Sequence, residues 1–211
     1  SQPLEKIYYT VKYNNIKAGS ATLEHSLLDN QSKKIQFNLK SKKIFDLIYK
    51  LREKTTIITD SDNYSIKSIN KKSSHGKNKK SYQATFDYEN LTGEINSKII
   101  KLKNQVYDPI SIIYSLRDKL LKVEDIFKYD IISKNSFKSF EMHVVKKEKI
   151  KLNSKEHDCF VIEAFQVIED NKLKKSDELK LWISSENIPI IIEKKAKHGI
   201  IKMEINEYSK K

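Results

Sequence analysis

Apolar residues recur at every second position over most of this chain, in runs of roughly 6 to 14 residues closed by Asn, Asp, Gly or Pro. A period of two is the mark of a strand that buries one face, so the pattern restricts the chain to a β-rich fold. LEKIYYTVKYNN and IKAGSATLEHSLLD form such runs on either side of Asn14-Asn15, a dipeptide suited to a tight hairpin turn. KKIQFNLKS places Ile35, Phe37 and Leu39 on one face, KTTIITDS and YSIKSINKK follow, and KKSYQATFDYE pairs with TGEINSKII around Glu89-Asn90. Further on come FKYDIISKN, FKSFEMHVVKKEKIKL, DCFVIEAFQVIED, LKLWISSE, IPIIIEKKAK and IIKMEINEYS. Boundaries read this way shift by a few residues, and about ten to eleven antiparallel strands are expected.

One segment reads clearly as helix. In DPISIIYSLRDKLLKVED, Asp108 is placed to cap, Pro109 occupies the first helical position, and apolar residues at 110, 113, 114, 120 and 121 form a stripe. KKIFDLIYKLREK keeps both periods, since Ile44, Leu47, Ile48 and Leu51 suit a helix while Phe45, Leu47, Tyr49 and Leu51 suit a strand. No linker, repeat or low-complexity tract divides residues 1–211, and at this length a sizeable core is affordable. The expected fold is mainly β: a single domain with a strongly curved antiparallel sheet, a half-barrel, holding one central α-helix against its concave side.

The formal net charge is +13, but of the 41 basic residues only Arg52 and Arg117 are arginines. Readers of nucleic acid favour the bidentate arginine fork. Lysines here alternate with acids along strands, as in KKEKIKLNSK, which reads as a solvated face and excludes a nucleic-acid partner. One stretch differs: from Asn63 to Phe86 there are six lysines and His75 without an acid. It is expected to be an exposed, solvated hairpin loop, the alternative being that Lys71, Lys72, Lys77, Lys79 and Lys80 contact an anionic membrane surface. No apolar run approaches the ~20 residues of a bilayer-crossing helix.

Cys159 is the one cysteine, so neither an intrachain disulfide nor a thiol metal set is expected. On a strand His157 and Cys159 share a face and Asp158 takes the other, which reads as a small buried thiol rather than a nucleophile with its base. His25, His75, His143, His157 and His198 lack metal-ligand spacing. Four glycines in the whole chain leave no phosphate-cradling loop, and no cofactor is implied.

Several segments carry a resemblance: YYTVKYNNIKAGSATLE, FDLIYKLREKTTIITDSDNYSIKSI, FDYE, DPISIIYSLR, HDCFVIEA and LWISSENIPIIIEKKAKHGIIKMEI. In order and spacing along nearly the whole chain they resemble the bacterial exported family known as domain of unknown function 3108. The most specific pieces are the DPxSxxYxLR helix start and the tryptophan strand followed by a polar turn and Ile-Pro. The resemblance implies a periplasmic or cell-envelope protein whose signal peptide is removed before Ser1, and a half-barrel similar to the lipoprotein carriers LolA and LolB. It implies no activity.

Two functions of different class follow. One is a non-catalytic envelope protein that binds or carries a hydrophobic or lipidic ligand in the concave face, with Asp108, Tyr114, Arg117 and Trp182 as its ligand-facing residues. The other is an accessory factor or enzyme acting on envelope polymers, with a polar cleft around Asp108 and Arg117. Tyr114 and Trp182 read more readily as core aromatics than as cleft residues. Arg117 follows Ile113 by one helical turn, so it projects from the apolar stripe, and a dry, bidentate anchor is expected there.

Overall fold

The computed structural model describes residues 3–28, 32–133, 136–196 and 199–211; Ser1 and His198 lie outside them. The first part of the chain forms β1 (Glu5–Tyr13), β2 (Ile16–Leu27), β3 (Lys33–Ser41), α1 (Lys43–Tyr49), β4 (Leu51–Thr59), β5 (Ile66–His75), β6 (Asn78–Asp87), β7 (Thr92–Ile95) and β8 (Lys98–Lys101). The second forms β9 (Val106–Tyr107), α2 (Pro109–Arg117), β10 (Ile126–Ser133), β11 (Ser136–Leu152), β12 (Lys155–Val167), β13 (Leu173–Ser184), β14 (Pro189–Ala196) and β15 (Gly199–Lys210). A short 3-10 turn at Glu169–Asn171 precedes β13.

The fold is mainly β, and the described residues hold 15 strands rather than ten or eleven. TGEINSKII is two strands, because Asn96 and Ser97 adopt φ of 46° and 67° and turn the chain back on itself. Asn14-Asn15 and Asn153-Ser154 turn in the same way, with positive φ at both residues, the backbone that matches the twist of flanking strands. Val106–Tyr107 is too short for any period to show. It runs parallel to β10, which corrects the wholly antiparallel expectation. A parallel neighbour needs a crossover, and α2 supplies it. The single-helix expectation is corrected too: KIFDLIY folds as α1 and LREKTTIIT as β4, so both periods of that segment are used in turn.

The chain divides into two units. Residues 1–11, 17–105 and 206–211 make the first. Its strands follow the order β8-β7-β6-β5-β4-β3-β2-β1, each bonded to its sequence neighbour. Register places Leu23, Phe37 and Thr55 in one cross-strand row and Ile35, Ile57 and Ile69 in another. These rows, with Ile7 and Tyr9 of β1, are buried and form the core of this unit.

Residues 12–16 and 106–205 make the second unit, ordered β15-β14-β13-β12-β11-β10-β9. One face of this sheet carries the buried Tyr129, Phe140, Met142, Ala164 and Leu181. Against it lies α2, whose residues from Ile110 to Leu116 are all buried and whose Ser115 hydroxyl meets the Tyr129 hydroxyl at 3.0 Å. Burial raises the Tyr129 phenol to about 12, partly offset by that bond to Ser115.

Gly19 stands opposite Ser41, and a side-chain carbon there would overlap the Lys40 carbonyl oxygen. Backbone cannot yield as a flexible side chain does. Gly19→Ala is expected to lower stability by about 1–3 kcal/mol in urea unfolding followed by far-UV circular dichroism; an unchanged midpoint would show that β2 and β3 separate without loss.

Candidate functional site

The residues expected at a ligand site are employed by the fold in three different places. Asp108 caps α2: its side chain accepts from the Ile110 amide at 2.8 Å, and the Ser111 hydroxyl accepts from the Asp108 amide at 3.0 Å. This reciprocal arrangement satisfies donors that a helix start leaves open. Tyr114 is buried within α2. Arg117, at the end of the helix, is half-buried and not dry; its Nε donates to the Asn187 carbonyl at 2.6 Å and its guanidinium lies 4.9 Å from the Tyr114 ring centre. The anchor on a backbone carbonyl is therefore present, in a wetter setting than the stripe implied. Asn187 belongs to the polar turn between β13 and β14, so the two most specific sequence pieces meet at this bond.

Trp182 stands apart from these. It faces Val161 and Ile191 across its ladders and packs with Cys159, Val161, Ile190 and Ile191. Its neighbours Leu181 and Ile183 point to the other side, the side on which α2 lies, so Tyr114 and Trp182 occupy opposite faces of β13. The indole Nε1 donates to Glu148, which also accepts from Lys146. The Lys146 contact, and then the indole, hold the Glu148 carboxyl below the usual glutamate range. Cys159 is buried, and burial foremost, with the Asp158 and Glu148 charges, pushes its thiol up to about 11. At neutral pH that sulfur is a protonated, weakly nucleophilic group.

Elsewhere on this face carboxylates are placed among lysines. Glu163 contacts Lys175 and Lys180. Burial would raise its carboxyl, but the two ammonium groups outweigh burial and lower it. His143 meets Glu141 at 2.9 Å and packs on Phe165. Among the described residues no group of three His, Cys, Asp or Glu side chains is arranged to hold a metal ion.

The lysine-rich segment is a hairpin of two strands, β5 and β6, rather than an open loop. Period two then divides the five lysines of the membrane-contact alternative. Lys71 and Lys80 lie on the face that bears the apolar core, where Lys71 pairs with Glu53 at 2.8 Å. Lys72 and Lys79 lie on the opposite face, and Lys77 sits in the turn beside Gly76.

That opposite face holds an arrangement not visible in the sequence. Register aligns Ser20, Lys40, Arg52, Ser74 and Lys79 in one row across five strands. Thr22, Asn38, Lys54, Lys72 and Ser81 form the row beside it. All ten line a groove of about 820 Å³ within the first unit; between the two rows run Ala21, Leu39, Glu53, Ser73 and Lys80, whose side chains belong to the core-bearing face. Arg52 is held by Asp46 of α1 and by the Ser41 hydroxyl. The Arg52 bond, then the Ser41 hydroxyl, keep the Asp46 carboxyl below the ordinary aspartate range, so it stays ionised beside the guanidinium.

Residues 8–206 match the family model described as protein of unknown function, DUF3108. The chain belongs to this family. A crystal structure of a β-barrel-like protein of domain of unknown function DUF1849 from Brucella abortus is similar in fold, with a TM-score of 0.67 at 10% identity, covering 99% of this chain and 98% of that one. No curated protein matches the chain.

For this DUF3108 chain, sequence reasoning missed Lys40, Lys54, Glu148 and Asn187, each of which acquires its role from a residue on another element. Two outcomes follow from the site geometry. Asp108→Ala removes the α2 cap and is expected to cost about 0.5–2 kcal/mol in urea unfolding; a smaller effect would mean that water replaces the carboxylate. Glu148 carries a depressed pKa, so its contribution is complete above the unfolded glutamate value of 4.5 and is lost as pH falls through the lower folded value. Trp182 fluorescence should therefore change with a midpoint below 4.5, and Glu148→Gln should abolish the transition; a persisting transition would assign it to another group.

Proposed function

We propose that this chain is a non-catalytic binding protein of the cell envelope that carries a lipidic ligand on a half-barrel similar to LolA and LolB. The observation that carries the reading is the groove on β2–β6. Its volume of about 820 Å³ falls within the roughly 300–1,000 Å³ range of small-molecule sites. The methylene stems of Lys40, Lys54 and Lys72 line it beside the polar groups of Ser20, Asn38 and Ser81, a lining suited to an amphiphile. Rigid strands, not loops, hold every one of these residues.

The non-catalytic reading is supported by how the reactive groups are employed. The Asp108 carboxylate caps a helix, the Arg117 Nε donates to a carbonyl, and the Cys159 thiol is protonated and buried. A polar cleft acting on envelope polymers around Asp108 and Arg117 would require both side chains to leave those partners.

Protein purified from its native host without detergent, then extracted with organic solvent and analysed by mass spectrometry, is expected to release acyl lipid in near-stoichiometric amount. Protein that yields no lipid and also fails to take up a fluorescent fatty-acid probe overturns the carrier reading. Fractionation of the same cells is expected to place the chain in the periplasmic extract, and recovery in the cytosol overturns the envelope assignment.

A further inference from the structure

Resting on the ligand reading above, we propose that the groove on β2–β6 binds clustered phosphate groups, those of a lipid headgroup bearing two phosphates. In the described ladders, like charges stand directly opposite each other at two places, Lys40 with Arg52 and Lys54 with Lys72, and both line this groove. Directly opposed like charges disfavour a sheet, and an anion between them removes the repulsion. Many strand lysines elsewhere face a carboxylate instead, as Lys180 and Lys202 face Glu193 in the ladders of β14. Within the groove Lys40, Lys54, Lys72 and Lys79 form no ion pair with a described carboxylate, because Glu53 is turned to the other face toward Lys71 and Asp46 is taken up by Arg52.

The geometry selects two anionic groups rather than one. Arg52 and Lys54 are two residues apart on β4, so the two cation pairs lie about 7 Å apart along the strand, each pair spanning neighbouring strands about 4.8 Å apart. One phosphate fits between Lys54 and Lys72, and since Arg52 already pairs with Asp46, a second is drawn mainly by Lys40. Lysine serves a phosphate as a point charge, while the guanidinium of Arg52 is already oriented by Asp46. Hydroxyls of Ser20, Ser74 and Ser81 in the same rows supply neutral donors to phosphate oxygens.

The test uses the full chain, vesicles of phosphatidylcholine with or without cardiolipin, and inorganic pyrophosphate as the soluble probe. Cardiolipin vesicles are expected to sediment the protein, and pyrophosphate to raise its Tm. Lys54→Thr/Lys72→Thr should weaken both effects at least tenfold, while Lys98→Thr/Lys101→Thr, which removes the same charge from exposed β8, changes them less than twofold. A response to pyrophosphate without vesicle binding assigns the site to free phosphates and keeps the shared chemistry. Equal losses in the two double variants would reveal diffuse attraction and overturn the site, as would no response to either probe. Lys72→Glu places a carboxylate opposite Lys54, so its unliganded Tm should rise and its response to pyrophosphate disappear; a lower Tm contradicts the repulsion on which the proposal stands. Neutral lipid retained by Lys54→Thr/Lys72→Thr, with anion binding absent from the parent chain, would sink the headgroup inference and leave the carrier reading intact.

Discussion

Within each of the two units, every strand takes its backbone hydrogen bonds from a strand next to it in sequence, and most other features follow from that constraint. Pairing with a sequence neighbour needs a tight reversal at every step, and the two-residue turns at Asn14-Asn15, Asn96-Ser97 and Asn153-Ser154 all use asparagine first at positive φ. Asparagine tolerates that backbone better than most residues. With four glycines in the chain, asparagine supplies the left-handed positions glycine would otherwise fill. Within the second unit the departure from antiparallel reversal is the parallel pair of β9 and β10, and it brings with it the helix, the cap at Asp108 and the joint at Arg117.

Given the ladders, the two-residue period decides which side chains meet. It sets Tyr114 and Trp182 on opposite faces of β13, and it separates Lys71 from Lys72 although they adjoin in sequence. In the second unit the face bearing Trp182 pairs carboxylates with lysines, and Glu148 and Glu163 are both held below the usual glutamate range by such partners. These pairs are partly exposed, so each contributes little to stability. Their effect is to place charges in register, which the period alone does not do.

Much of the fold was legible because alternation is local. Ile35, Phe37 and Leu39 can be assigned to one face from KKIQFNLKS alone, and Asp108-Pro109 marks a helix start without any tertiary information. What escaped was either too short or set at long range. Val106–Tyr107 has no period to read, and α1 and β4 share a segment that satisfies both periods. The site was less legible than the fold for the second reason. Lys54 faces Lys72 through a register fixed by the connection from Asp60 to Ser65 and the bulge between Ile58 and Thr59, neither of which appears as a charge pattern. Arg117 was legible as an anchor from its position on the stripe, but its partner, the carbonyl of Asn187, lies 70 residues away.

The same distinction decides what a net charge of +13 means here. Composition spreads lysine along the whole chain, and a count of charges treats each one alike. The structure sorts them by what stands across the ladder. Lys180 stands opposite both Glu163 and Glu193 and needs no outside partner, whereas Lys54 stands between Asn38 and Lys72, with no acid on either side. A cation whose cross-strand neighbours are an amide and another cation raises the local potential along with the surface it occupies. Five cations in two adjacent rows, with Asp46 offsetting the fifth, concentrate that potential in one groove instead of distributing it over the sheet. Replacing Lys72 by serine would keep the strand and remove the repulsion at no cost to the core, since the side chain is exposed. That a lysine stands there, in a place where the sheet is better off without one, is the physical reason to look for the anion it faces.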